Sequence, residues 1–228
     1  MIKLSPSILS ANFVRLEEEI KILEKENIEY LHIDVMDGMF VPNISIGMPV
    51  IKSIRKITNI VLDAHFMIEK PERYIDEFIS LGCDIINFHF EATDKHMEII
   101  KKVKDANKKV GMTIKKKVGM TIKPNTSYKE ILPYIEYLDL VLVMCVEPGF
   151  GGQKFIENSL EKISALRDYI NENKLNCELE VDGGIKIDNV EKVLEAGANV
   201  IVVGSDIFEK EDKSSIINKY NQLFKKFG

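Results

Sequence analysis

Cysteine is scarce in this 228-residue chain. Cys83, Cys145 and Cys177 make an odd count of three, with no CxxC or zinc-ribbon spacing. That argues against a disulfide framework and for reduced thiols in a cytoplasmic protein. No run approaches the roughly 18 apolar residues that cross a bilayer, so no membrane partner is expected. The opening MIKLSPSILSANF lacks a basic stretch followed by an apolar one, so no secretory leader is expected. Positive charge is not in excess either: the net charge is −5, whereas nucleic acids select basic surfaces. The nine lysines between Lys101 and Lys123 are the one basic stretch, read as a solvated helix and loop. Glycine is missing after the first apolar run, where an open dinucleotide-binding sheet would carry its phosphate fingerprint.

What is present is alternation. Apolar, β-rich runs occur at 2–9, 30–37, 60–68, 83–90, 139–146, 177–183 and 199–205, with another in VGMTIK. Their continuous Val, Ile, Leu and Phe content suits strands covered on both faces. Between them lie segments with apolar residues three and four apart, as in FVRLEEEIKILEKENI and NSLEKISALRDYINENK. Pro71 and Asp188 stand where two of these segments open. Eight βα units without a composition break predict an α/β protein, one (β/α)8 TIM barrel over residues 1–228. The open doubly wound sheet is the alternative, disfavoured by the missing glycines.

One segment says the same thing twice. Lys108 to Lys115 and Lys116 to Lys123 are identical octapeptides, KKVGMTIK, laid end to end. Eight residues occurring twice build no solenoid. Pro124-Asn125-Thr126 comes after the second copy and suits a turn at the top of a barrel. The second copy is therefore expected to be strand 5, and the first a loop insertion before it. Loop-closure scaling puts the cost of such an insertion at about 1 kcal/mol or less. The reverse assignment would throw eight residues over the active site.

In such barrels the chemistry sits at the C-terminal ends of the strands. On strand 2, His32, Asp34 and Met36 share a face; on strand 3, Asp63, His65 and Met67 do. Asp182 ends strand 7, and strand 1 offers Ser7. Imidazoles and carboxylates are costly in a barrel interior unless paired or ligating. His32, Asp34, His65 and Asp182 are thus candidate ligands for one divalent ion of the zinc, iron(II), manganese or cobalt type. His89 is read as a supporting or structural residue and His96 as a solvated one.

Glycine-rich turns come after strands 6, 7 and 8: Gly149-Phe150-Gly151-Gly152, Gly183-Gly184 and Gly204-Ser205. Such turns let backbone N–H groups approach an anion, and barrels often hold phosphate there. A sugar phosphate anchored on them would reach the metal with its far end. There the ion would stabilise an enediolate. Asp34 and Asp182 come from opposite walls, one for each face of the substrate. Inversion beside a ketone needs two opposed groups; aldose–ketose isomerisation needs one. Met36, Met67 and Met144 would lie around the same centre as polarisable walls or as core filler.

The runs PSILSANF, YLHIDVMDGMFVPNISIG, DAHFMI, FHFEAT, MCVEPGFGGQKF, EVDGGI and AGANVIVVGSDIF closely resemble the ribulose-phosphate 3-epimerase family, over the whole chain. The resemblance implies interconversion of D-ribulose 5-phosphate and D-xylulose 5-phosphate in the pentose phosphate pathway, and a homodimer or larger homo-oligomer. It implies a metal on His32, Asp34, His65 and Asp182, with Asp34 and Asp182 as the acid/base pair. It also implies a substrate lined by Ser7, Met36, Met67 and Met144. Gly149, Phe150, Gly151, Gly152, Gly183, Gly184, Ile185, Gly204 and Ser205 would form its phosphate side. A lid motion of the 147–154 loop is a further expectation. The alternatives are an epimerase for a six-carbon ketose phosphate and a non-catalytic sugar-phosphate binder. A decarboxylase or hexulose-phosphate synthase would carry lysine where DAHFMI has His65.

Overall fold

The structure, a computed structural model, describes residues 1–107 and 115–227. Eight strands form one parallel sheet: β1 (Lys3–Pro6), β2 (Tyr30–Met36), β3 (Val61–Met67), β4 (Ile85–His89), β5 (Lys117–Ile122), β6 (Leu140–Met144), β7 (Glu178–Asp182) and β8 (Val200–Val203). Their order is β1-β8-β7-β6-β5-β4-β3-β2. A parallel bridge between Ser7 and His32 brings the two ends together and rounds the sheet into a barrel. The helices are α1 (Leu16–Lys25), α2 (Met48–Ile57), α3 (Ile75–Ser80), α4 (His96–Ala106), α5 (Ser159–Glu172), α6 (Val190–Glu195), α7 (Ser205–Phe208) and α8 (Lys213–Phe224). No helix among the described residues is long and apolar enough to cross a membrane.

The strand residues that alternate outward, such as Ile33, Val35, Phe66 and Phe88, pack against the helices as one buried cluster. Each fully buried side chain of this kind stabilises the fold by about 1.5–3 kcal/mol. All three cysteines are buried and free, and burial pushes each thiol up to about 12. They are core residues, not nucleophiles.

Two expectations are corrected. Strand β5 leads to no α-helix; Tyr128–Ile131 and Ile135–Tyr137 are short 3-10 turns. Pro133 stands between them and has no N–H to continue a helix. The lysine stretch is also less solvated than read. Lys116 is only 8% exposed and holds Asp84 at 3.0 Å. Lys117 reaches Glu178 at 2.9 Å and the Tyr30 hydroxyl at 2.6 Å. Lys3 joins the same group at 2.5 Å from Glu178, so β1, β2, β5 and β7 share a charged plug at the barrel floor.

Strand β5 is built from the second octapeptide copy. The reading of the first copy as an inserted loop falls on residues 108–114, outside the described residues. Asn107 and Lys116, which flank it, are held together. The Asn107 amide donates to the Lys116 carbonyl at 2.9 Å and its oxygen accepts from the Lys116 N–H at 2.5 Å. Excision of Lys108–Lys115 therefore joins chain ends that already lie close. A change in stability within about 1 kcal/mol is expected, read from denaturant unfolding. A variant that no longer folds would contradict this account of strand 5.

Candidate active site and metal centre

Parallel pairing of β2 with β3 sets His32 beside Asp63 and Asp34 beside His65. All four side chains are buried inside the barrel. Three ligand atoms converge: His32 Nε2 lies 3.2 Å from His65 Nδ1 and 3.4 Å from Asp34 Oδ1, and His65 Nδ1 lies 3.1 Å from Asp34 Oδ1. Asp182, at the end of β7, brings a fourth, so that one ligand atom from each residue lies within 4.8 Å of all the others. The Ser7 hydroxyl donates to Asp34 Oδ2 at 2.6 Å, which turns Oδ1 toward the histidines.

The charges of the quartet are set by one another. Burial opposes charge on Asp34, yet the neighbouring His32 charge and hydrogen bond hold its carboxyl well below the usual range. Burial likewise opposes a charged His32, but Asp34 drives its imidazole well above the usual range. Asp182 is displaced the other way: burial and the Asp34 charge push it up to about 6. Two buried carboxylates and two imidazoles whose ligand atoms converge are a donor set fit for a divalent ion of borderline softness. Binding must release protons, since Asp182 ligates only when ionised. Affinity for cobalt(II) should therefore fall about tenfold or more per pH unit below pH 6. Metal titrations from pH 5 to 8 test this; a flat affinity would contradict it.

Beneath the ligands, His32 Nδ1 stands 3.1 Å from Asp63 Oδ2. Burial and the Asp63 charge raise Glu180 well above the carboxylate range, so it keeps its proton. Glu180 Oε1 lies 3.6 Å from the same His32 Nδ1. On the other side His65 Nε2 faces His89 Nε2 at 3.0 Å, and His89 Nδ1 faces Glu91 Oε2 at 3.1 Å. Burial lowers His89 to about 4, which keeps it neutral. Burial opposes ionisation of Glu91, but its hydrogen bonds with His89 and Thr126 hold it at about 2.

A cleft open to solvent lies above the quartet. It is lined by Asp34, Asp182, Ser7, Met36, Met67 and Met144 on one side. Gly149, Phe150, Gly151, Gly152, Gly183, Gly184, Ile185, Gly204 and Ser205 line the other. Every residue expected to line a substrate is thus in one place. Gly183 and Gly184 sit at φ +115 and +67, and a Cβ on Gly184 would come 2.3 Å from the Phe155 nitrogen. Only glycine makes that turn.

Sequence reasoning missed Ser10, Gln153 and Lys186, which also line the cavity. Ser10 stands three residues after Ser7, at the end of the 3-10 turn Ile8–Ser10, a spacing that could have flagged it. Lys186 is a cation at a rim expected to rely on backbone donors alone. His89 contacts a candidate ligand directly. His96 is half-buried rather than solvated: its Nε2 lies 2.8 Å from the Phe90 carbonyl and its ring stacks on Phe90.

A parallel barrel with a carboxylate–imidazole centre at the C-terminal strand ends has the layout of a TIM-barrel enzyme. The ribulose-phosphate 3 epimerase family profile matches residues 3–208. The chain belongs to that family. It is 42% identical over 220 residues to ribulose-phosphate 3-epimerase of Bacillus subtilis, covering 96% of this chain and 98% of the relative. It is 43% identical over 222 residues to the Synechocystis enzyme of that name, covering 95% and 91%. Among solved structures, a 3-hexulose-6-phosphate synthase superposes with TM-score 0.65 at 18% identity, covering 97% of this chain and 99% of the other. Phosphoribosyl anthranilate isomerase from Thermus thermophilus gives 0.67 at 12%, covering 97% and 100%. These two likenesses concern the fold.

Proposed function

We propose that the chain interconverts D-ribulose 5-phosphate and D-xylulose 5-phosphate by moving a proton on and off C3 from opposite faces. The observation that carries this is the pair Asp34 and Asp182. They face one cavity from β2 and β7, and their acidities are displaced in opposite directions. Two carboxyls pushed apart in this way are suited to act as base and acid near neutral pH. Asp34, oriented by Ser7, takes the proton from one face of C3, and Asp182 serves the other face. The roles reverse in the reverse reaction.

His32, Asp34, His65 and Asp182 would hold one divalent cation of the zinc, iron(II), manganese or cobalt type. When bound, it supplies a Lewis acid that stabilises negative charge on the substrate's oxygens. The thioethers of Met36, Met67 and Met144 wall this centre without offering a strong donor. That leaves proton traffic to the two aspartates. Backbone N–H groups at Gly183, Gly184, Gly204 and Ser205, with Lys186, suit a phosphate.

Side-by-side turnover of D-ribulose 5-phosphate and a six-carbon ketose phosphate by metal-loaded protein tests the substrate. A kcat/KM at least about 100-fold higher for the pentulose is expected, since a site discriminates by groups it must pair or exclude. A preference for the six-carbon substrate would overturn the assignment.

A further inference from the structure

The chain of side chains behind His65 sets which of its nitrogens can hold a metal. Glu91 Oε1 accepts from the Lys123 backbone N–H at 2.8 Å and from the Thr126 hydroxyl, so the exit of β5 fixes that oxygen as an acceptor. Glu91 Oε2 faces His89 Nδ1, and a carboxylate only accepts. His89 Nδ1 therefore carries a hydrogen, and in the neutral ring Nε2 has the lone pair. Across 3.0 Å, His65 Nε2 must then donate to it. In the neutral ring that puts the lone pair of His65 on Nδ1, the atom that faces Asp34 Oδ1 and His32 Nε2.

We propose that Glu91 is a positioning residue. Through His89 it locks His65 into the Nε2–H tautomer, so that Nδ1 is free to ligate. Glu91 touches neither metal nor substrate in this account. The relay also ties the metal centre to Lys123 and Thr126, the last residue of the second octapeptide copy and the turn after it. Outer partners of ligating histidines commonly change metal affinity by about 10–100-fold.

The substitution Glu91→Gln separates the relay from ordinary loop anchoring. The amide oxygen must stay on the Lys123 N–H, a backbone group that can only donate. The amide NH2 then faces His89 Nδ1 as a donor. His89 turns into its Nε2–H tautomer, and His65 is driven to carry its hydrogen on Nδ1, where the metal should sit. Glu91→Ala removes the same anchor without imposing the wrong donor.

The experiment uses the full chain with 15N-labelled histidine. Two-bond 1H–15N correlations of the metal-free protein read the tautomers, and cobalt(II) titration of each variant reads affinity. The expected wild-type result is hydrogen on His89 Nδ1 and on His65 Nε2. In Glu91→Gln both should reverse, with cobalt(II) affinity down about 10–100-fold and further than in Glu91→Ala. Unchanged tautomers in Glu91→Gln, or a loss no greater than in Glu91→Ala, would overturn the proposal. The inference rests on the metal reading of the site, and the two fail differently. Wild-type protein that binds no cobalt(II) sinks the metal reading, whereas normal binding with the opposite tautomers sinks the relay alone.

Discussion

Asp34→Asn is expected to lower kcat by at least about 10³-fold, near the upper end for loss of a positioned base. The side chain has two duties: Oδ1 meets both histidines, and Oδ2 accepts the Ser7 hydroxyl. An amide is nearly isosteric and its oxygen can keep the Ser7 bond, so the fold should survive. It cannot take up a proton or balance a cation. Metal affinity should fall with activity, and saturating metal should not restore turnover. Rescue by excess metal would show that Asp34 serves only as a ligand.

Asp182→Asn should split stability from activity. A carboxyl held at about 6 instead of near 4 costs the metal-free fold about 3 kcal/mol above pH 6. Proton binding sets the sign. Between the two values the folded state binds more protons than the unfolded, so stability falls as pH rises through that window and stays lower above it. An amide has no such charge. The variant is therefore expected to be more stable than the metal-free wild type at pH 7.5, by about 1–3 kcal/mol allowing for relaxation, and the gain should vanish near pH 4. Inversion should fall by at least about 10³-fold. Deuterium exchange at C3 without inversion should persist in one of the two pentulose phosphates, because Asp34 still serves its own face. Loss of exchange in both at saturating metal would mean that Asp182 does all the proton transfer. Unfolding curves at pH 4 and 7.5 and proton NMR of each substrate provide the readouts.

Much of this site is written locally. The period-two alternation of LHIDVM and DAHFM places ligands inward, and the glycine pairs mark turns that no other residue makes. Those signals need only neighbours along the chain. The contacts that escaped notice join distant segments. Glu91 acquires its meaning from Lys123 and Thr126, 32 and 35 residues later. Lys116 and Lys117 look like solvated charge until Asp84, Glu178 and Tyr30 are brought to them.

The octapeptide shows the same limit. The two copies are identical, so no property within them chooses between them. The difference lies in the residues C-terminal to each copy. After Lys123 comes Pro-Asn-Thr, whose Thr126 hydroxyl reaches Glu91; after Lys115 comes Lys-Lys-Val, which offers no hydroxyl. The missing helix after β5 was hidden for a simpler reason. Apolar spacing in EILPYIEYL suits a helix, and a single proline outweighs it.

The most direct measurement is proton NMR of D-ribulose 5-phosphate with the full chain in deuterated water, with and without a strong chelator. Xylulose 5-phosphate should appear carrying deuterium at C3, and both product and exchange should stop on chelation and return with added metal. Folded, metal-loaded protein that gives neither product nor exchange would contradict the two-aspartate epimerase described here.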